Sequence, residues 1–117
     1  MSERHKVIAV DLDGTLAHYN GDRSPTIGEP IPLMVERVKG WLSEGHTVKI
    51  FTSRMGTGDP EKTGKAFVAI AEWSRKHLGT VLPITAFKEP TFAEIWDDRA
   101  VTVERNTGRV LTTKSNG

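Results

Sequence analysis

The chain has no cysteine. Disulfides and thiolate-bound metals are therefore excluded, and an oxidising compartment gains no support. It also lacks an excess of either charge. Sixteen Lys and Arg stand against fifteen Asp and Glu, for a net charge of +1. Neither a nucleic-acid binder driven by bulk charge nor an acidic tail fits that balance. No apolar run approaches the ~20 residues needed to span a membrane. The first apolar stretch is too short for a signal peptide and leads straight into a strand pattern. The expectation is a soluble, cytoplasmic protein with no membrane partner. Aromatic residues are few, and Trp41, Trp73 and Trp96 fall where packing residues belong rather than in a base-stacking platform. His5, His18, His46 and His77 show no metal-ligand spacing. There is no repeat, low-complexity tract or linker. A length of 117 residues predicts one domain, residues 1–117.

What is present is an alternation of strand and helix patterns. Residues 6–10 are apolar and β-branched without polar alternation, as in a parallel strand buried on both faces. Residues 15–30 are rich in Gly, Asn, Asp, Ser and Pro and read as a loop or small hairpin. Ile31, Val35, Val38 and Leu42 make one helical stripe behind Pro32. Residues 46–51 read as a second strand. Asp59-Pro60 then opens a second helix, with Phe67, Ile70, Ala71 and Ser74 as its stripe and Trp73 at the flank. Residues 81–87 and 93–96 read as third and fourth strands. A hairpin of residues 100–104 and 109–112 around Asn106-Thr107-Gly108 closes the chain. This order predicts an α/β domain with a mainly parallel central sheet.

In such sheets ligands bind beyond the carboxyl ends of the strands. The residues at those exits are informative. The stretch VIAVDLDGTL delivers Asp11 and Asp13 to one side, with Leu12 turned into the core and Gly14 permitting a tight turn. Two close carboxylates repel, and a cation or an unequally shared proton relieves them. A second acidic pair, Asp97-Asp98, follows the fourth strand. Hard oxygen ligands of this kind suit Mg²⁺. Thr52, with Ser53 as competitor, ends the second strand and can bind a phosphoryl oxygen. Lys88 follows the third strand and can hold a carboxylate nucleophile and a phosphate together. Arg54 and Arg99 either reach a substrate phosphate or sugar or pair with a nearby acid.

The DLDGT of residues 11–15, Thr52 after Lys49-Ile50-Phe51, Lys88, and Asp97-Asp98 resemble, in that order, the four motifs of the haloacid dehalogenase-like (HAD) phosphohydrolases. The likeness spans residues 7 to about 103. It is nearest to small members without a cap domain, encoded by bacteria and phages, including capsule-cluster phosphatases. The resemblance implies a three-layer Rossmann-like domain and a phosphoric monoester hydrolase. Asp11 would be the nucleophile, forming an aspartyl phosphate, and Asp13 the general acid and base. Mg²⁺ would be held by Asp11, the backbone carbonyl of Asp13, Asp97, and Asp98 directly or through water. Thr52 and Lys88 would bind the transferring phosphoryl group, with Ser53 and Arg54 beside them.

Residues 15–30 allow a flap hairpin but no folded cap, so the site should be open. An open site fits a phosphorylated small molecule, a larger phosphorylated substrate, or a homo-oligomer whose partner completes the pocket. Other readings are a metal-dependent nuclease or nucleic-acid-end phosphatase, for which the neutral charge gives no support, and a receiver-like phosphoacceptor. Receivers place an acidic pair first and a separate phosphoacceptor Asp in the middle of the chain, whereas the second strand here ends in Thr52-Ser53-Arg54 with no such Asp. The segment GTGDPEKTGK lacks the spacing and hydroxyl of a phosphate-binding P-loop.

Overall fold

The computed structural model describes residues 4–21 and 25–111. Its elements are β1 (Val7–Val10), α1 (Pro32–Ser43), β2 (Thr47–Phe51), a single 3-10 turn (Ser53–Met55), α2 (Pro60–Leu78), β3 (Ile84–Thr85) and β4 (Phe92–Trp96). The strands form one sheet in the order β3-β2-β1-β4, and every pairing is parallel. Val7 to Val10 face Thr47 to Ile50 in register on one side. On the other side, Ile8, Ala9 and Val10 face Glu94, Ile95 and Trp96, after a register shift next to Val7. β1 is therefore central, which explains its unbroken apolar pattern: Ile8, Ala9 and Val10 are all buried.

Ile8, Val10, Val48 and Ile50 project to one face of the sheet. There they join Met34 and Val38 of α1 and Ile70, Trp73 and Leu78 of α2 in a single cluster. The helices also touch each other. Both lie on the same face, as two successive right-handed crossovers in one direction require. The helical part of the architecture is thus one layer. The segment 86–91 supplies the cover on the opposite face, pinned there by the Lys49–Glu89 ion pair at 2.7 Å. Phe51 and Phe92 meet edge to face on that side, with ring centroids 5.6 Å apart. The chain must pass from β3 across β2 and β1 to β4, three strand spacings or about 14 Å. Six residues reach about 20 Å when extended, so no length is left for a helix.

The second helix buries a face that differs from the sequence stripe. Phe67 is 45% exposed, whereas Ile70, Trp73, Ser74 and Leu78 are buried. Trp73 turns inward because its indole Nε1 donates to the Gly28 carbonyl at 2.9 Å, in the 25–30 segment beside the helix. Ser74 is buried because its Oγ donates to the Thr80 carbonyl and accepts from the Leu82 N–H. That clamp diverts the chain after α2, so the strand expected over 81–87 shrinks to Ile84–Thr85. The Asp59 carboxylate caps α2 by accepting from the Glu61 and Lys62 N–H groups, and Gly79 ends it at φ +83°.

Residues 15–21 and 25–30 form the two arms of a flap with an antiparallel base. Ala17 bridges Pro30, and the His18 N–H donates to the Glu29 carbonyl at 2.8 Å. At the far end of the chain, the expected hairpin is a turn closed by one antiparallel bridge, Val103 to Val110. Residue 112 of that expectation lies outside the described residues. No described helix is long and apolar enough to cross a membrane.

Candidate active site

The carboxyl end of β1 sets the geometry. The Asp11 N–H donates to the Trp96 carbonyl at 2.9 Å, so the sheet ladder holds Asp11 beside the end of β4. Leu12 is fully buried, and its carbonyl accepts from the Leu16 and Ala17 N–H groups. This closes a tight turn through Gly14 at φ +89°. A Cβ on Gly14 would lie 2.7 Å from Oδ2 of Asp98, so glycine is required by conformation and by space. Thr15 completes the joint. Its Oγ1 donates to Asp98 Oδ1 at 3.1 Å and accepts from the Asp98 N–H at 2.9 Å. Asp97 is oriented by the Arg99 N–H, which donates to its Oδ1 at 2.7 Å.

Asp11, Asp97 and Asp98 each offer a carboxylate oxygen within 4.8 Å of the other two. Burial, the nearby Asp97 charge and a hydrogen bond to Asp98 push the Asp11 carboxyl up to about 7. A carboxyl that holds its proton to neutral pH marks a site with surplus negative charge. A divalent cation among these three oxygen donors would remove the repulsion, so the donor set fits Mg²⁺.

Asp13 stands apart from that triad. Its carboxylate accepts from Arg54 Nε at 2.7 Å and Nη2 at 2.9 Å, a two-pronged pair. Asp13 in turn keeps Arg54 more firmly charged than usual. The same guanidinium donates from Nη1 to the Pro25 carbonyl at 3.0 Å. Arg54 thus ties the second strand exit, the first strand exit and the flap together. Of the two readings of Arg54, the acid pair is the one seen.

Thr52 is buried, and its hydroxyl accepts from the Arg54 N–H at 3.1 Å, capping the 3-10 turn. Ser53, its competitor, lines the cleft. Lys88 is exposed and does not line the cleft. Its segment is drawn toward the helix-free face by the Lys49–Glu89 pair one residue later.

The cleft has a volume of about 630 Å³. Asp11, Asp13, Asp98, Ser53, Arg54 and Arg99 form its strand-exit side. Lys62, Lys65, Ala66 and Ala69 of α2 form another wall, and Tyr19 and Pro25 of the flap face it. Sequence reasoning missed the Thr15 clamp and the two lysines. The Gly-Thr after the aspartates was a local sign of the first. The i, i+3 spacing of Lys62 and Lys65 just after a helix cap was the sign of the second.

A structure of a conserved protein coded by a locus from Bacteroides thetaiotaomicron superposes on this chain with a TM-score of 0.58. The two are 28% identical over 84% of this chain and 79% of that one. No family model matches the chain. No curated protein matches it either.

Proposed function

We propose that the chain is a Mg²⁺-dependent phosphatase of the HAD type, hydrolysing a phosphate monoester through an aspartyl phosphate on Asp11. The observation that carries the reading is the meeting of Asp11 with Asp97 and Asp98 at one sheet edge, opening on a cleft with four cationic side chains. The four sequence motifs that resemble HAD phosphohydrolases supply the roles. The metal would be held by the three carboxylates, with the Asp13 backbone carbonyl that the resemblance implies. It would supply positive charge that keeps Asp11 ionised and screens the phosphate.

In this reading a carboxylate oxygen of Asp11 attacks phosphorus and the bond to the ester oxygen breaks. Asp13 gives a proton to the leaving oxygen. Arg54 engages both Asp13 carboxylate oxygens, so Arg54 must turn to the phosphate before Asp13 can reach the leaving oxygen and deliver that proton. Water then attacks the phosphorus of the aspartyl phosphate, its proton passes to Asp13, and inorganic phosphate leaves with Asp11 restored. Ser53 and Arg99, at the strand exits, orient the phosphoryl oxygens. Thr52 shapes the turn that presents Ser53 and Arg54. Lys88 is the phosphate ligand that the resemblance supplies, and it stands exposed outside the cleft.

The test is phosphate release from p-nitrophenyl phosphate and a phosphometabolite panel, with Mg²⁺ and with chelator. Wild type should turn over only with the metal, and Asp11→Asn should lose about a thousandfold or more in kcat. Inactivity of the wild type across the panel, or near-normal rates in Asp11→Asn, would defeat the reading.

A further inference from the structure

We propose that the cleft takes a phosphomonoester carrying a second anionic group, which Lys62 and Lys65 hold. The inference rests on the phosphatase reading for the place of the first phosphate. Lys62, Lys65, Ala66 and Ala69 follow one another at helical spacing and form a single stripe of α2 along the cleft. Among the described residues, Lys62 has no ion-pair partner. Among the described residues, the ion pair Lys65 makes is with Glu61, at 3.7 Å, with both side chains 79% exposed, which is a weak tie. Two cations therefore line the cleft with one weak ion pair between them among the described residues.

Their position separates them from the reacting end. The acids stand at the exits of β1 and β4, whereas α2 packs on α1, the 3-10 turn and β3. From β4 to β2 is two strand spacings, about 10 Å, and α2 lies on the far side of that span. Arg54 and Arg99 stand beside the acids and serve the phosphate there. Tyr19, Pro25, Ala66 and Ala69 also line the cleft and give it apolar surface that suits a ring. The ligand implied is a compact spacer, of sugar size, with a phosphate ester at one end and an anion at the other.

Three matched probes test this: glucose 1-phosphate, glucose 1,6-bisphosphate and glucuronic acid 1-phosphate, each with Mg²⁺. For wild type, kcat/KM should favour the bisphosphate over the monophosphate by on the order of tenfold. In the double variant Lys62→Ala, Lys65→Ala that ratio should fall toward one. A preference for glucuronic acid 1-phosphate over glucose 1-phosphate would extend the second group to carboxylates, and its absence would restrict it to phosphate. Equal handling of monophosphate and bisphosphate by wild type overturns the inference, while metal-dependent release from both leaves the phosphatase reading standing. Should none of the probes turn over, that reading is the one in trouble. Calorimetric Kd values then decide the inference separately. Tighter bisphosphate binding that is lost in the double variant supports it, and equal affinities overturn it.

Discussion

Asp11 is the residue on which charge, fold and proposed chemistry converge. Its carboxyl titrates at about 7 because it is partly buried beside Asp97 and Asp98, whereas in the unfolded chain it titrates near 3.8. A folded-state value raised above the unfolded one contributes stability at low pH that is lost as pH rises through the folded value. The metal-free protein should therefore lose stability between about pH 4 and 7. Thermal melts in chelator should show wild type falling in Tm across that window, with Asp11→Asn flat and above wild type at pH 8. Thr15 offers a second test. Its hydroxyl both donates to and accepts from Asp98, an orienting partner one step behind the proposed ligand. Thr15→Val keeps the shape and removes both bonds. Mg²⁺ affinity, read by titration calorimetry, should drop by about tenfold or more. Asp11, Asp13 and Gly14 were legible because the strand and turn that place them are local. The Asp13–Arg54 pair was not, since it joins residues whose approach depends on β1 and β2 lying side by side.

At the scale of elements, the flap depends on α2. Trp73 donates to the Gly28 carbonyl, and a Cβ on Gly28 would lie 2.2 Å from the His18 carbonyl oxygen, so both flap strands are closely fitted there. Trp73→Phe leaves that carbonyl without its donor and opens a gap. Urea unfolding should show a loss of about 1–3 kcal/mol. Limited proteolysis should also cut faster within residues 15–30. The helices were legible in position from Pro32, Asp59-Pro60 and Gly79, which are local start and stop signals. The buried face of α2 was not. Phe67 and Trp73 compete for it in the pattern, and the winner depends on a carbonyl 45 residues away.

For the whole molecule, the proposed metal site joins the first strand exit to the last. Binding there couples β1 to β4 and should stabilise the fold as a unit. At Mg²⁺ near 100 times Kd the gain is about 2.7 kcal/mol, or roughly 10 °C in Tm for a domain of this size. Differential scanning calorimetry with and without the metal checks it, and Asp97→Asn should abolish most of the shift. The single helical layer belongs to this scale too. It follows from the strand order and from the six-residue return from β3 to β4, which leaves one sheet face to Lys49, Phe51, Phe92 and the 86–91 segment.

By itself the sequence determined the parallel α/β class, the strand exits, and the carboxylates delivered to them. Each of these is written in local periodicity, in turn residues and in the alternation of side chains along a strand. The tertiary structure decided which charges meet. It grouped Asp11 with Asp97 and Asp98, gave Asp13 to Arg54, left Lys88 outside the cleft, and brought Lys62 and Lys65 into it. Contacts between residues far apart in the chain depend on strand order, helix rotation and the path of connecting segments. Those are settled by packing across the whole core, and no single window of sequence encodes them.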